Sequence, residues 1–342
     1  MLDLSGFLIN WRRFVSAGFI VFGTTTGAFA FCQGTDLIQE LQVQQPDIYD
    51  KLQKETQAIP YHTGKFFRIS MGGTEPSYIF GTLHSGDPRI TQFSPELLSA
   101  LDSARNVAFE LKEVGGLSDP NTMNTMGMQL ISYIMATDAD RVSTLFSADE
   151  KRVIEETAEK YGLPAGSADL FKPGFLGLAF SVPACEAQNQ GKIKSIDEQL
   201  AMRVKNAGKD FIGLETLDEQ LSVIAKHPPE VQKTILASAI RQQPKAEDIF
   251  ETMIQFYAKG EIGMLMLWSK TEDVIATQED TEHVEQVMDG LVDKRNILMF
   301  ERSLPLVQEG GAFIAVGAAH LPGETGILKL YENNGYKIER LD

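Results

Sequence analysis

Apolar positions change their period several times along the chain, and each change marks an element. Phe66-Phe67-Arg68-Ile69-Ser70 and Tyr78-Ile79-Phe80 are short β-type runs on either side of Met71-Gly72-Gly73-Thr74-Glu75, which predicts a hairpin. Residues 35–60 before it read as a polar lead-in with one short amphipathic helix over about Leu37 to Leu52. Ser94-Pro95-Glu96 opens another helix: the Ser94 hydroxyl can accept from an orphan amide, and Pro95 sits where an N–H would go unpaired anyway. Asn106-Val107-Ala108-Phe109-Glu110-Leu111 reads as a buried strand. The stretch 120–260 is mainly helical, with the S/T-x-x-E capping box at Ser147/Glu150, Ser195/Glu198 and Thr216/Glu219. Asp210-Phe211-Ile212-Gly213-Leu214-Glu215 interrupts it as a further strand. A helix from about His283 to Leu304 then leads into the strand Ala312-Phe313-Ile314-Ala315-Val316. A helix over Ile327 to Asn333, closed by Asn334-Gly335, precedes a last strand at Tyr336-Lys337-Ile338-Glu339. Strands alternating with helices predict an α/β (α+β) fold: a central mixed sheet, flanking helices and a large helical insertion at about 120–205.

Composition narrows the setting. Lys and Arg number 31 against 47 Asp and Glu, a net charge of −16, which argues against nucleic acid or an anionic membrane as partner. Arg12-Arg13, the apolar run Phe14 to Gly23 and the small-residue pattern Ala28-Phe29-Ala30 have the layout of a secretory signal peptide cleaved after Ala30. The alternative is an N-terminal membrane anchor, since the uncharged stretch Phe14 to Phe31 is 18 residues long. The expected organisation is a signal segment at 1–30, a lead-in at 31–61 and one domain at 62–342, periplasmic or secreted, with no membrane span after cleavage. Two cysteines, Cys32 and Cys185, are too few for a four-thiolate zinc site or a disulfide framework; export would permit a Cys32–Cys185 disulfide.

The candidate chemistry lies in two matched frames, Gly81-Thr82-Leu83-His84 and Gly317-Ala318-Ala319-His320. With 29 Gly and 5 His in 342 positions, chance supplies 5 × 29/342, about 0.4, copies of Gly-x-x-His, so a single copy means little. Two copies, each directly after a β-type run, put two imidazoles at strand ends, where open α/β sheets bind ligands. Glu110 and Glu215 also close apolar runs. A carboxylate there is poorly solvated unless it is functional or paired, and Thr216 as a helix cap makes a local hydrogen-bonding role plausible for Glu215. Two imidazoles with one or two carboxylates match the ligand set of zinc or another first-row divalent ion.

These segments, together with Gln220, Arg295-Asn296 and Leu321-Pro322-Gly323, resemble the TraB/GumN family, which includes the Tiki-type proteases. The resemblance spans roughly residues 62–340 and rests on the ordered set. It implies divalent-metal-dependent proteolysis in Tiki-type members, alongside many exported bacterial members, within a fold group that extends to erythromycin esterase-like hydrolases and haem-binding lipoproteins. Position by position it implies His84 and His320 as the family histidines, Glu110 as the acid after the first motif and Arg295 as the arginine before the second; Glu215 lies in a family-typical segment.

The leading expectation is an exported metallohydrolase acting on a peptide or small acyl substrate. A divalent ion (Zn, Mn or Co) would be held by His84, His320 and a carboxylate, Glu110 or Glu215, with Glu110 as third ligand or general base. Arg295 would stabilise an oxyanion or hold a substrate carboxylate, against an ordinary helix pair with Asp293 or Glu301. A second expectation drops the metal and uses His84 as base assisted by Glu110. A third makes the chain a binding protein for haem, a metal or a peptide. His62, His227 and His283 match no motif. Cys185, Trp268 and Met264-Leu265-Met266 read as core, and Met123, Met126 and Met128 as helix packing.

Overall fold

The computed structural model describes residues 32–116, 120–189, 192–271, 282–283, 286–287 and 289–342. The expected signal segment and the side chain of Met123 lie outside the described residues. Strands β1 (Phe66–Ser70) and β2 (Ser77–Thr82) form the hairpin, with Phe66 opposite Phe80. β3 (Asn106–Leu111), β4 (Ile212–Glu215), β5 (Ala312–Gly317) and β6 (Lys337–Arg340) complete a six-stranded sheet in the order β4–β3–β5–β2–β1–β6. β2, β5, β3 and β4 run parallel; β1 is antiparallel to both of its neighbours. The sheet is mixed, as the α/β pattern predicts.

Both faces of the sheet are covered, and β5 shows why its run is apolar throughout. Phe313 and Ala315 join the core on one face, against α3 (Pro95–Ser103), α9 (Ile196–Asn206) and α12 (Ala246–Lys259); Ala312, Ile314 and Val316 join the core on the other. Burial on alternate sides with period two leaves no position for a polar side chain. That second face is covered by α14 (Lys294–Glu309) and α15 (Ile327–Asn333). Between β3 and β4 the chain forms α4 (Pro120–Ile134), α5 (Val142–Leu145), α6 (Ala148–Lys160), α7 (Pro173–Ser181), α8 (Ala184–Asn189) and α9. Several of these, with α11 (Pro229–Gln242), enclose a core of their own around Phe171, Leu176, Phe180 and Leu236. The three capping boxes form as read, at the starts of α6, α9 and α10 (Leu217–Ala225).

Two helical readings are corrected. The lead-in holds α1 (Leu37–Gln44) and α2 (Pro46–Gln57) instead of one helix, because Pro46 has no amide to donate and forces Gln45 out of the helical region, to φ −139°, ψ 59°. The helix expected to end at Leu304 continues through Pro305 to Glu309. Pro305 costs the bond to the Glu301 carbonyl, but Glu301 is exposed to water, while continuation buries Val307. Cys32 and Cys185 form a disulfide. It ties the lead-in to α8, where the buried Glu186 accepts from the Ser85 hydroxyl at 2.7 Å, beside His84. Trp268 and Met264, in α13 (Ile262–Trp268), are core as expected, whereas Met128 is exposed and does not serve helix packing. Among the described residues no helix is long and apolar enough to cross a membrane.

Candidate active site

The two Gly-x-x-His frames lie side by side, since β2 and β5 are parallel neighbours with Thr82 paired to Gly317. Close approach demands glycine at the first start and favours it at the second. A Cβ on Gly81 would stand 2.9 Å from the Ala318 backbone, and one on Gly317 would stand 3.0 Å from Glu110 Oε1. Past these glycines the chain leaves the sheet at its carboxyl edge, delivering His84 after β2 and His320 after β5. Glu110 comes from β3 and Glu215 from the end of β4, at the same edge.

His320 is buried. Its Nδ1 lies 2.6 Å from Asn296 Oδ1 and its Nε2 lies 3.6 Å from Glu110 Oε1, too far for a hydrogen bond. Burial lowers its pKa to about 4, so the ring is neutral at pH 7. Glu110 Oε1 accepts from the Gly317 amide at 2.5 Å, and Oε2 accepts from Gln220 at 3.1 Å and from Arg295 at 3.0 Å. Burial alone would raise the Glu110 pKa. The charges and donors around it, His320, His84, Arg295 and the Gly317 amide, outweigh that and bring it to about 2. Because His320 is neutral at pH 7, Arg295, His84 and the amide are what hold Glu110 ionised there.

His84 is the exposed member, its side chain 69% accessible. Its Nδ1 lies 2.8 Å from Asp197 Oδ2, and the other Asp197 oxygen accepts from the Thr82 hydroxyl at 2.6 Å. The buried Asp197 carboxylate raises the His84 pKa to about 9, against the opposing effect of desolvation. Arg295 sits between the two glutamates. Its Nε lies 2.9 Å from both Glu215 oxygens, its Nη2 donates to Glu215 at 2.6 Å and to Glu110 at 3.0 Å, and its Nη1 caps the Leu291 carbonyl at 2.8 Å. Leu291 belongs to a π turn, Asp289–Asp293, that leads into α14. The pairs considered for Arg295 with Asp293 or Glu301 do not form; Asp293 instead accepts from the Thr325 hydroxyl. Glu215 is likewise not the local cap, since Glu219 reciprocates the Thr216 cap.

His84, Glu110, Gln220 and Arg295 line one cavity of about 210 Å³. The structure therefore brings His84, Glu110, Glu215, Arg295 and His320 into one cluster. It places His62, His227 and His283 elsewhere, bonded to the Ile59 carbonyl, close to Gln232 and bonded to the Thr234 hydroxyl respectively. Asp197, Asn296 and Gln220 were not singled out as site residues. Asp197 reads from sequence as an ordinary acid in the first turn of a capped helix, and the two amides carry no charge signal. Both imidazoles engage Asp197 or Asn296 through Nδ1, which leaves Nε2 as the nitrogen available to a ligand, an arrangement common to metal-ligating histidines. The ligand atoms of His84, Glu110 and His320 do not all fall within 4.8 Å of one another. The one group among the described residues that does is Cys32, Cys185 and Glu247, whose thiols are spent in the disulfide.

A sequence profile built on such proteins matches residues 66–340, which takes in every strand and all five clustered residues. The chain belongs to the TraB/PrgY/gumN family. A zebrafish (Danio rerio) protein named Metalloprotease TIKI2 is 24% identical over 312 residues, covering 77% of this chain. The chain spans 58% of the length of that relative. No solved structure gives a significant match.

Proposed function

We propose that this chain is an exported, divalent-metal-dependent hydrolase that cleaves peptide or related acyl bonds, with His84, His320 and Glu110 as the residues that hold the ion. One observation carries the reading. His320 Nε2 and Glu110 Oε1 lie 3.6 Å apart with no hydrogen bond between them; the Nδ1 of that ring and the second oxygen of that carboxylate are bonded elsewhere, and among the described residues Oε1 itself accepts only from the Gly317 amide. With His320 neutral, an imidazole lone pair opposes a carboxylate, an unfavourable contact in a buried site unless a cation joins them. His84, which lines the same cavity on its Asp197 tether, would complete the set. The name of the zebrafish relative supports the same chemistry. The Cys32–Cys185 disulfide supports export, since such bonds persist in oxidising compartments.

A divalent ion at this place supplies Lewis acidity and brings the pKa of water towards ~7. Everything else falls to side chains. Asp197 and Asn296 hold the two imidazoles in one tautomer and orientation. Glu215, with both oxygens on Arg295, is spent as a counter-charge and leaves the ligand set to Glu110. Among the described residues, four of the five Arg295 N–H groups are engaged, by Glu215, Glu110 and Leu291, which leaves one Nη1 hydrogen to meet a substrate oxygen.

The second reading, a metal-free hydrolase with His84 as base, gains the His84–Asp197 pair, a base with an orienting acid. It replaces Glu110 by Asp197 as the partner. It ranks below the first because the name of the zebrafish relative points to a metal; a protonated His84 would have to give up its proton in either reading. The discriminating experiment is hydrolysis of a mixed peptide library by the purified chain before and after chelation. The metal reading expects loss of activity that returns on adding Zn, Mn or Co; activity untouched by chelator would reverse the ranking.

A further inference from the structure

The cavity that holds His84 and Glu110 does not end at them. Helix α10 lines it from Gln220, which donates to Glu110, to Ile224 one turn on. At ~1.5 Å per residue that turn carries the wall about 6 Å past the carboxylates. There the lining is apolar, with Ile134, Phe175, Leu178 and Ile224. Gln232 is the polar exception. It is 2% exposed, its Nε2 donates to the His227 carbonyl at 2.8 Å, and its buried Oε1 has no hydrogen-bond partner among the described residues, although Gln232 belongs to the cavity wall. The absence of a side chain on Gly174 makes room for this amide: a Cβ there would stand 3.3 Å from Oε1 and 2.9 Å from Ile224 Cγ2. A buried carbonyl left without a donor is costly, so its retention on a cavity wall points to a ligand that brings the donor. Lys172 also lines the cavity. Its ammonium lies 4.0 Å from Asp140 and 3.4 Å from the Ala225 carbonyl, so its charge is matched and the stretch is neutral.

We infer that this stretch is a side-chain subsite that takes one large, uncharged apolar side chain of a peptide-like ligand, with the N–H of the same residue donated to Gln232 Oε1. The whole cavity is below the ~300–1,000 Å³ that encloses drug-sized ligands, which suits one side chain and its backbone amide. Calling the ligand a substrate rests on the hydrolase reading; its binding chemistry rests on the cavity.

The test is a binding titration, followed by NMR, of the chelator-treated full chain. The probes are N-acetyl-leucine methyl ester, its lysine and glutamate counterparts, and the N-methylated leucine ester, which lacks the donor. The leucine ester is expected to bind at least tenfold more tightly than the charged esters. N-methylation should weaken it three- to tenfold in the wild type and have no effect in Gln232→Leu, where the acceptor is gone. Equal affinity for the leucine and lysine esters, or the same N-methylation penalty in Gln232→Leu, would overturn the inference. Should Gln232→Leu not fold, Leu178→Lys, at a 38% exposed rim position, reads the same subsite: a tenfold loss for the leucine ester is expected, and unchanged affinity overturns the subsite. No turnover enters the assay, so a chain that proves inactive leaves the subsite standing. A failed subsite leaves chelator-sensitive hydrolysis standing.

Discussion

Arg295→Met removes the guanidinium lodged between two buried carboxylates, and its cost follows from how little water reaches them. The Glu215 side chain is fully buried, Glu110 is 9% exposed and Arg295 is 12% exposed. Deleting one partner of such a pair strands the other charges and costs ~3–5 kcal/mol. Unfolding a 342-residue chain at ~2.1 cal/mol/K per residue carries an entropy of about 0.7 kcal/mol/K, so the melting temperature should fall by about 4–7 °C. Differential scanning calorimetry in excess chelator reads this without any contribution from bound ions. The double variant Arg295→Met/Glu215→Gln should recover part of the loss, because the carboxylate that Arg295 neutralises is removed with it. A melting point within 1 °C of wild type for Arg295→Met, or a double variant equal to the sum of the single ones, would refute the view that this cluster is a desolvated, mutually dependent unit.

Three further outcomes are expected. Asp197→Asn keeps a polar partner on His84 but withdraws the carboxylate that orients the ring, and should weaken divalent-ion affinity by about 10–100-fold in a calorimetric titration while leaving the circular dichroism spectrum unchanged; unchanged affinity would remove Asp197 from the site. Replacing Cys32 and Cys185 by Ser releases a loop of sequence separation 153 and should cost ~2–5 kcal/mol in urea unfolding; no loss would mean that the lead-in is held by packing alone. Glu219 is held to a pKa of about 2, first by Arg302 and then by the Thr216 cap. A depressed carboxylate stabilises the fold above its unfolded pKa of ~4.5 and ceases to do so as pH falls towards 2. The pair is about one-third exposed, so solvent screening limits Glu219→Gln to a loss of about 1 kcal/mol at pH 7, and the difference from wild type should shrink below pH ~4.5 and close as pH reaches about 2.

How much of this was legible in the chain depends on the range of each interaction. Strands β1, β2, β3 and β5 were readable because burial on both faces makes their runs apolar, and the capping boxes because they act over three residues. The two histidines were visible because glycine and imidazole stand in one local frame. Asp197 was not: its meaning comes from His84, 113 residues away, and at a capped helix start an acid already has a local explanation. Glu215 and Arg295, 80 residues apart, misled for the same reason, each having nearer candidate partners that the fold does not use. Pro46 and Pro305 show the limit of local rules. One divides a helix and the other is absorbed by it, according to what lies beyond each residue.

The most direct measurement is the metal content of the purified chain, by elemental analysis after equilibration with Zn, Mn or Co and removal of excess ion, for wild type, His84→Ala and His320→Ala. The account expects one ion per wild-type chain and loss of that ion in both variants, with their folds intact by circular dichroism. Stoichiometric metal retained in either variant, or none taken up by the wild type, would contradict it.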